Sequence, residues 1–438
     1  MKDMISRLYL LVGDIFGIFV SISLAYLLRA YSSLIDVPFD MQYTYYIYNL
    51  SIYLIVLLVF NYEKIYKYRY DFWEETRIIL ISLAISFVIV FSILALTKSI
   101  DEYSRFVLVF SFVFMSIIIP VFKNILKKIL FKVGLWKKSA EVIGDDKYVK
   151  EEIFSNIYLG YVHTSKEEAK TIFINTINMT STELQEQLDI SFKDKKEVLF
   201  IPLLQSYNFA NAKIIELSNA RKNIIVLENA LLKQSNIFIK KASDMILSIV
   251  LFPFLIAVFM LVIFLMKKEE PRGKIFFKQK RMGQNGKEFI CYKFRSMYEN
   301  GDEMLEKYLK NNPDEIVCYD KYHKYKSDPR ITKIGHIMRK TSLDELPQVI
   351  NVLRGEMSLI GPRPYMPSEK DKIAKKVDMV LAVKPGITGL WQVSGRSDVD
   401  FHSRVDIDVW YTRNWNLWLD IVILVKTIKV VLFRSGAS

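Results

Sequence analysis

"MILSIVLFPFLIAVFMLVIFLM", residues 245–266, is an apolar run of the length that one helix needs to cross a lipid bilayer. Lysine pairs flank both ends, at 240–241 and at 267–268, whereas a crossing helix tends to carry its positive charges on one side. Pro253 stands inside the run, where the missing N–H of proline kinks a helix. These features favour a bent helix that enters the membrane and returns to the same side. A plain transmembrane helix is the alternative.

Four further apolar runs occupy the first third of the chain, at residues 8–28, 43–62, 78–97 and 105–122. Lysine and arginine are concentrated after the second and fourth runs, at 62–77 and 123–138. The positive-inside rule therefore predicts that both ends of this four-helix unit face the cytoplasm. Asp14 lies deep in the first run, and we interpret it as a helix-packing group. The runs show neither paired charges nor broken helices, which argues against a transporter.

The composition indicates which partners to expect. The chain has 438 residues, 51% of them hydrophobic, and a net charge of +13. A basic chain attracts anionic partners, and one this apolar favours phosphate-bearing ligands and lipid headgroups over nucleic acid. Cys291 and Cys318 exclude a disulfide framework, suit a reducing compartment and lack metal-ligand spacing.

Residues 139–232 alternate β-rich and helical patterns, which predicts a small parallel α/β domain. We expect strands in "AEVIGDD", "TIFINT", "EVLFIPL" and "NIIVLEN", with a helix in "FANAKIIELSNARK" before the last of them. A dinucleotide-binding unit needs G-x-G-x-x-G after its first strand, but this turn has Gly144 alone. The pattern favours a structural or regulatory role without a nucleotide cofactor.

"KTSLDELPQVINVLRGEMSLIGPRP", residues 340–364, sets two adjacent carboxylates, Asp344 and Glu345, before a short amphipathic helix. Apolar residues at i, i+3, i+4 and i+7 predict the helix, and they are Leu346, Val349, Ile350 and Leu353. Pro347 fits the first turn, which places Asp344 at or near the N-cap. An N-cap Asp followed by a first-turn Glu is common, so a purely structural role is one interpretation.

Cations around this segment favour a second interpretation, a catalytic pair. Arg339 precedes the pair and Arg363 follows it in the stiff "GPRP". The upstream segments "FKQKRMG" and "CYKFRSM" add Lys278, Lys280, Arg281, Lys293 and Arg295. Such a set predicts a polyanionic substrate, usually with Mg²⁺ as a bridge to the carboxylates. Asp344, kept anionic by the helix dipole, could then attack phosphorus while the cations neutralise the developing charge.

The C-terminal end combines aromatic and apolar residues. Trp410, Trp415 and Trp418 stand just ahead of an apolar helix that carries scattered lysines. This pattern is typical of a domain that rests on the bilayer interface. A core helix with buried aromatic residues is an equally good interpretation.

Three segments resemble the bacterial polyprenyl-phosphate glycosyl-1-phosphate transferases, also called monotopic phosphoglycosyl transferases. They are "FKQKRMGQNGKEFICYKFRSM" (277–297), "DPRITKIGHIMRKTSLDELPQVINVLRGEMSLIGPRP" (328–364) and "KPGITGLWQVSGR" (384–396), in the order of the family. The resemblance covers about residues 236–438, and the N-terminal half is similar to the larger members.

The resemblance implies a membrane protein of four parts. They are an N-terminal four-helix transmembrane bundle (1–130), a degenerate Rossmann-like α/β domain (139–232), a re-entrant membrane helix (236–266) and a mixed α/β, mainly helical catalytic domain (267–438). In the family a Ser-Pro pair breaks the re-entrant helix, whereas this chain has Phe252-Pro253.

The implied activity is transfer of a hexose 1-phosphate from a UDP-sugar, of galactose or glucose type, to undecaprenyl phosphate, with release of UMP. Asp344 is the implied nucleophile of a covalent phosphosugar intermediate, and Glu345 assists it. Both acids are the implied Mg²⁺ ligands. The implied phosphate- and substrate-binding residues are Arg339, Arg363, Lys293, Arg295, Lys280 and Arg281.

The implied location is the bacterial cytoplasmic (inner) membrane, with the α/β and catalytic domains on the cytoplasmic face. The enzyme would start the membrane stage of surface polysaccharide synthesis, for O-antigen, capsule or exopolysaccharide. A catalytically inactive scaffold or regulator is the alternative, and the intact pair with both arginines opposes it. The sequence identifies neither the sugar nor the oligomeric state, and a homodimer remains open.

Overall fold

The computed structural model divides the chain into two compact units, Met1–Leu204 and Gln205–Ser438. The residues it describes are 2–31, 42–99, 103–144, 147–176, 179–194, 196–201, 212–217, 222–226, 230–312, 314–315, 328–394 and 400–433. Each unit is described here by itself. The boundaries of the four predicted domains remain predictions.

The first unit begins with long apolar helices that contain the predicted runs. They are α1 (Lys2–Tyr31), α2 (Tyr43–Ile47), α3 (Leu50–Tyr62), α4 (Phe72–Leu96) and α5 (Arg105–Lys132). One apolar core unites them, because side chains such as Ile18, Val56, Ile79 and Met115 are buried together. Within the described residues, five helical segments are long and apolar enough to cross a membrane, four of them in this unit.

The second predicted run is not one helix. Helix α2 ends at Ile47 and α3 begins at Leu50, where the side chain of Asn49 accepts a hydrogen bond from the N–H of Ser51. This side chain also donates to the hydroxyl of Tyr103. A capping side chain offers the backbone an alternative to continued helix, which explains the break. The expectation of unbroken helices in this unit was therefore wrong.

Paired charges lie inside the same unit, against the expectation that there are none. Lys123 Nζ is 3.0 Å from Asp14 Oδ2, and Lys127 is bonded to Glu75, with all four side chains almost fully buried. Tyr66 donates to Asp14 across 2.6 Å. Asp14 is thus a helix-packing group, as predicted, but its ion pair with Lys123 was not predicted. Helix α5 continues past the predicted run, so Lys123 and Lys127 are buried instead of being loop residues.

A parallel sheet follows in the first unit, with strand order β2-β1-β3-β4. Its elements are β1 (Lys138–Ile143), α6 (Lys147–Ser155), β2 (Tyr161–His163), β3 (Thr171–Asn175), α7 (Ser181–Lys193) and β4 (Glu197–Ile201). Gly144 has φ +109°, and a Cβ there would lie 2.6 Å from the carbonyl oxygen of Asn175. Glycine is therefore required at this turn by close backbone approach and by its conformation. The parallel strands were predicted, and the Rossmann-like assignment stays a prediction.

The second unit begins with an antiparallel pair, β5 (Lys213–Leu217) and β6 (Lys222–Val226). The helix predicted in "FANAKIIELSNARK" is wrong where the structure describes it, because "KIIEL" is a strand. The strand in "NIIVLEN" exists, but its described pairing is antiparallel. Short apolar runs fit helix and strand equally well by periodicity, and only their pairing decides.

Helix α8 (Gln234–Glu269) contains the apolar run and is continuous over 36 residues. At 1.5 Å per residue it is about 54 Å long, more than the apolar thickness of a bilayer. Pro253 lies inside it, and the assignment is helical through Phe252 and Pro253. The structure therefore shows no interruption there. Proline removes a single N–H, which a helix tolerates by bending.

The rest of the second unit is mixed α/β. Its elements are β7 (Phe276–Met282), β8 (Glu288–Phe294), α9 (Gly301–Asn311), α10 (Lys333–Thr341), α11 (Gln348–Leu353), β9 (Ser358–Ile360), α12 (Lys370–Ile373), α13 (Val377–Val380), β10 (Gly386–Thr388), α14 (Leu390–Ser394), α15 (Phe401–Asn414) and α16 (Leu417–Phe433). Strands β7 and β8 form an antiparallel hairpin, and β9 pairs with β10 in parallel. Trp415 is buried in the core and donates to Asp420, as the core interpretation predicts for that residue.

Candidate active site

The carboxylate pair lies on a short turn between two helices. Helix α10 ends at Thr341, the next residue Ser342 has a left-handed φ of +56°, and residues Leu343–Glu345 form one 3₁₀ turn. Pro347 is the N-cap of α11. Asp344 is therefore not the N-cap, which corrects the expectation. The φ of Ser342 starts a separate turn, and this turn moves the helix start past both acids.

The two carboxylates of the pair differ in their surroundings, because Glu345 has a lysine partner whereas Asp344 is largely buried. Lys293 Nζ donates to Glu345 Oε1 across 2.6 Å. The pKa of Asp344 is raised to about 6, because burial and the neighbouring charge of Glu345 raise it more than Lys293 and Arg339 lower it. The sequence predicted that the dipole of the next helix keeps Asp344 anionic, but α11 begins beyond Asp344 and the pKa of this carboxyl is raised. At neutral pH the carboxyl is mostly ionised but poorly solvated, a combination typical of reactive groups.

Arg339 is held beside the pair by the last turn of α10. Its Nε donates to Ser296 Oγ across 2.8 Å, and the Asp344 charge opposes the lowering of its pKa by burial. At the other end of α10, the Glu269 carboxylate accepts the N–H groups of Lys333 and Ile334. A carboxylate at a helix N-terminus satisfies free N–H groups. Glu269 thus fixes the helix that carries Arg339.

In the β7–β8 hairpin, successive side chains point to opposite faces, so neighbouring cations have different surroundings. Arg281 is buried and donates to the carbonyl oxygen of Pro364 across 3.0 Å. Lys280, its neighbour, is 72% exposed and lies 3.6 Å from Glu288. Of the cations predicted on this hairpin, Lys293 and Arg281 are therefore directed towards the site.

Two other predicted cations have different partners. Arg295 Nη2 donates to Glu270 across 2.7 Å, and its Nη1 is 3.2 Å from Glu299. These contacts join the end of α8 to the segment after β8. Lys278 lies over the ring of Tyr292, 5.9 Å from its centroid. The structure does not bring Arg295 or Lys278 to the carboxylate pair.

The "GPRP" loop adds Arg363 on the side of Arg281. The Glu369 carboxylate lies 3.9 Å from each of these guanidinium groups. Burial is the main cause of the lowered pKa of Arg281; Arg363 lowers it further, while Glu369 and Glu345 raise it. Arg281 thus lies within electrostatic reach of both Arg363 and the acid pair.

Sequence reasoning missed Asp408, which supports this loop. Its Oδ2 accepts the main-chain N–H of Arg363 at 3.1 Å and the hydroxyl of Tyr365 at 2.9 Å. Burial raises the pKa of Asp408 to about 7. Asp408 lies on α15, far along the chain from the loop, so no local pattern links them.

Sequence reasoning also missed Asn351, which ties α11 to β8. It accepts from the N–H of Tyr292 and donates to the carbonyl oxygen of Ile290. The buried residues of α11 are Gln348, Val349, Asn351 and Val352, so the predicted apolar face was only partly right. A buried amide satisfied on both sides fixes the register of helix and strand.

The expected Mg²⁺ site at the carboxylate pair has no further protein ligand among the described clusters of metal-ligating side chains. Within the described residues there is no group of three or more His, Cys, Asp or Glu side chains that could hold a metal ion. Cys291 is a fully buried free thiol, and Cys318 lies outside the described residues. Mg²⁺ commonly needs only one or two protein carboxylates when substrate phosphates complete its coordination. Asp344 and Glu345 fit that role.

Comparison with known proteins places these features in a family context. Residues 235–434 match the family model described as "Bacterial sugar transferase". An undecaprenyl-phosphate galactose phosphotransferase of Salmonella typhimurium is 36% identical over 403 residues, 85% of this chain and 84% of the relative. A UDP-galactose-lipid carrier transferase of Erwinia amylovora is 34% identical over 404 residues, with 85% and 84% covered. A UDP-glucose:undecaprenyl-phosphate glucose-1-phosphate transferase of Klebsiella pneumoniae is 34% identical over 241 residues, 53% of this chain and 48% of the relative.

Proposed function

Because this chain belongs to the bacterial sugar transferase family, we propose that it transfers a hexose 1-phosphate from a UDP-sugar to undecaprenyl phosphate and releases UMP. The observation that carries the proposal is the half-buried Asp344–Glu345 pair with Lys293 and Arg339 beside it. Two relatives matched over 85% of the chain are named for galactose. UDP-galactose is therefore the first donor to test and UDP-glucose the second.

In the proposed first half-reaction, a carboxylate oxygen of Asp344 attacks the phosphorus that bears the sugar. A P–O bond forms to Asp344, the bond from that phosphorus to the bridging oxygen breaks, and UMP leaves with the electron pair. In the second half, a phosphate oxygen of undecaprenyl phosphate attacks the same phosphorus and displaces the carboxylate. No proton is required in either step when the attacking groups are ionised.

The surrounding side chains are assigned by their contacts. Lys293 and Arg339 lower the pKa of Asp344, and this keeps the nucleophile ionised near neutral pH. Arg281 and Arg363, which share Glu369, are positioned to take the charge of the diphosphate. We leave Lys280 and Arg295 out of the substrate-binding set because they pair with Glu288 and Glu270 and not with the acid pair.

We propose that Asp344 and Glu345 hold Mg²⁺ together with diphosphate oxygens. The bound ion would neutralise charge on the leaving phosphate. The chain contributes the two adjacent carboxylates, and Lys293 orients one of them through its bond to Glu345.

The membrane arrangement is also a proposal. The first unit would cross the inner membrane four times, with its basic loops in the cytoplasm. Helix α8 would enter the bilayer and return, bending at Pro253, so that the catalytic residues stay on the cytoplasmic face. Exposed apolar side chains on α8 support contact with lipid, among them Ile249, Val250, Phe254 and Met260.

The experiment is to incubate the full-length protein in membranes with undecaprenyl phosphate and a panel of UDP-sugars while UMP is measured. We expect UMP release with one hexose donor and formation of a lipid-linked sugar diphosphate. Release of no UMP with any donor would contradict the proposal and favour the inactive scaffold.

A further inference from the structure

Two loops, "GPRP" and "ITGLW", are held side by side by a short parallel pair, β9 and β10. The N–H of Gly361 donates to the carbonyl oxygen of Thr388 at 2.9 Å, and the N–H of Gly386 donates to that of Pro362 at 2.8 Å. A Cβ at Gly389 would lie 2.3 Å from the carbonyl oxygen of Gly361. The glycines therefore permit backbone contact between "GPRP" and "ITGLW", and this contact sets Trp391 close to Arg363.

Trp391 sits among guanidinium groups. The Cζ of Arg363 lies 6.0 Å from the centroid of its ring, and the Cζ of Arg404 lies 5.2 Å away. Both distances are within the range of cation–π attraction. Arg281 is the next cation, linked to Arg363 through Glu369. The indole is thus at the edge of a strongly positive region.

The indole Nε1–H of Trp391 is buried and has no hydrogen-bond partner among the residues that the structure describes. An indole N–H can only donate, and a buried donor without an acceptor destabilises a protein. The buried Trp415 of the same unit satisfies this requirement, because its Nε1–H donates to Asp420 Oδ2 at 3.0 Å. An unsatisfied donor beside two arginines indicates that the missing acceptor is anionic.

We propose that Trp391 is a binding residue for the donor substrate, whose Nε1–H donates to a phosphate oxygen of the nucleotide diphosphate. The inference rests on the proposed function. It adds a neutral hydrogen-bond donor to the cations that surround the diphosphate, so Trp391 affects binding of the UDP-sugar and not that of the lipid acceptor.

The test is Trp391→Phe, which keeps an aromatic face for Arg363 and Arg404 but removes the N–H. For the full-length enzyme in membranes we expect KM for the UDP-sugar to rise about tenfold, which corresponds to about 1.4 kcal/mol, because the variant cannot donate a hydrogen bond to the charged phosphate. KM for undecaprenyl phosphate should not change. Trp410→Phe, the same substitution on the neighbouring helix, is the matched control and should leave both KM values unchanged.

A direct titration separates this inference from the proposed function. We expect UDP to bind the wild-type protein and to bind Trp391→Phe about tenfold more weakly. Replacing the indole by its benzothiophene isostere, which lacks the N–H at nearly constant shape, should give the same loss. Unchanged UDP affinity in both variants would overturn the inference, as would a rise in KM for the lipid acceptor alone. Loss of turnover with intact, Trp391-dependent UDP binding would overturn the proposed reaction and leave the site standing.

Discussion

Replacing Lys293 by Gln should move the acidic limb of the first half-reaction to higher pH. The reaction requires an ionised Asp344, whose pKa is raised to about 6 by burial and by Glu345, and which Lys293 lowers. Removing the ammonium group removes this effect. It also leaves Glu345 without the partner that now lies 2.6 Å from its Oε1. Both consequences raise the pKa of Asp344.

The size of the shift follows from the contact. A neighbouring opposite charge changes a carboxyl pKa by about one to three units. We expect the lower end, because Lys293 is bonded to Glu345 and acts on Asp344 from beside it. The limb should therefore move from about pH 6 to about pH 7. At pH 6 the ionised fraction would fall from about one half to about one tenth, which is a fivefold loss of rate in addition to any loss of binding.

The assay is rapid-quench measurement of UMP released from the UDP-sugar between pH 5 and 9 without lipid acceptor. Omitting undecaprenyl phosphate ensures that ionisation of its phosphate does not affect the pH dependence of UMP release. The diphosphate of a UDP-sugar does not titrate between pH 5 and 9. Lys280→Gln is the control, because Lys280 is 72% exposed and pairs with Glu288. Its limb should stay near pH 6. A Lys293→Gln limb that stays in place or moves down would refute the assignment of Lys293 to the ionisation of Asp344.

Four further outcomes are expected. Asp344→Asn should abolish UMP release and any labelled sugar-phosphate adduct. Because the pKa of Asp344 is raised, this carboxyl stabilises the folded protein while it is protonated, and the contribution is lost as pH rises through about 6. Asp344→Asn does not titrate, so its free energy of unfolding should gain up to about 3 kcal/mol relative to wild type between pH 4 and pH 8. Thermal unfolding at both pH values measures this difference. Glu75→Gln leaves Lys127 buried without its carboxylate and should cost about 3–5 kcal/mol in thermal unfolding. Glu74→Gln at the half-exposed neighbour should cost less than about 1 kcal/mol. Excess EDTA should stop UMP release and added Mg²⁺ should restore it; release that persists in EDTA would contradict the metal role.

The sequence determines by itself the features that depend on neighbouring residues. Apolar runs of bilayer length predicted the long helices, and β-rich runs predicted the parallel strands β1, β3 and β4. The family motifs predicted the sugar transferase assignment, which the comparisons confirm. The position of Asp344 was predicted only approximately, because a single left-handed residue, Ser342, begins a separate turn before the helix. Such a backbone choice leaves no mark in periodicity.

Tertiary structure alone decided which charges meet. Sequence could not distinguish Arg281, which reaches the "GPRP" loop, from Lys280 beside it, which faces solvent, since both appear as cations in one motif. The sequence could not predict the ion pair of Lys123 with Asp14 or the hydrogen bond from the main-chain N–H of Arg363 to Asp408, because these partners are distant along the chain. The physical reason is that burial and contacts between charges exist only after remote segments pack together. Burial and nearby charges set the pKa of Asp344. Burial also removes the indole N–H of Trp391 from water without giving it a partner among the described residues.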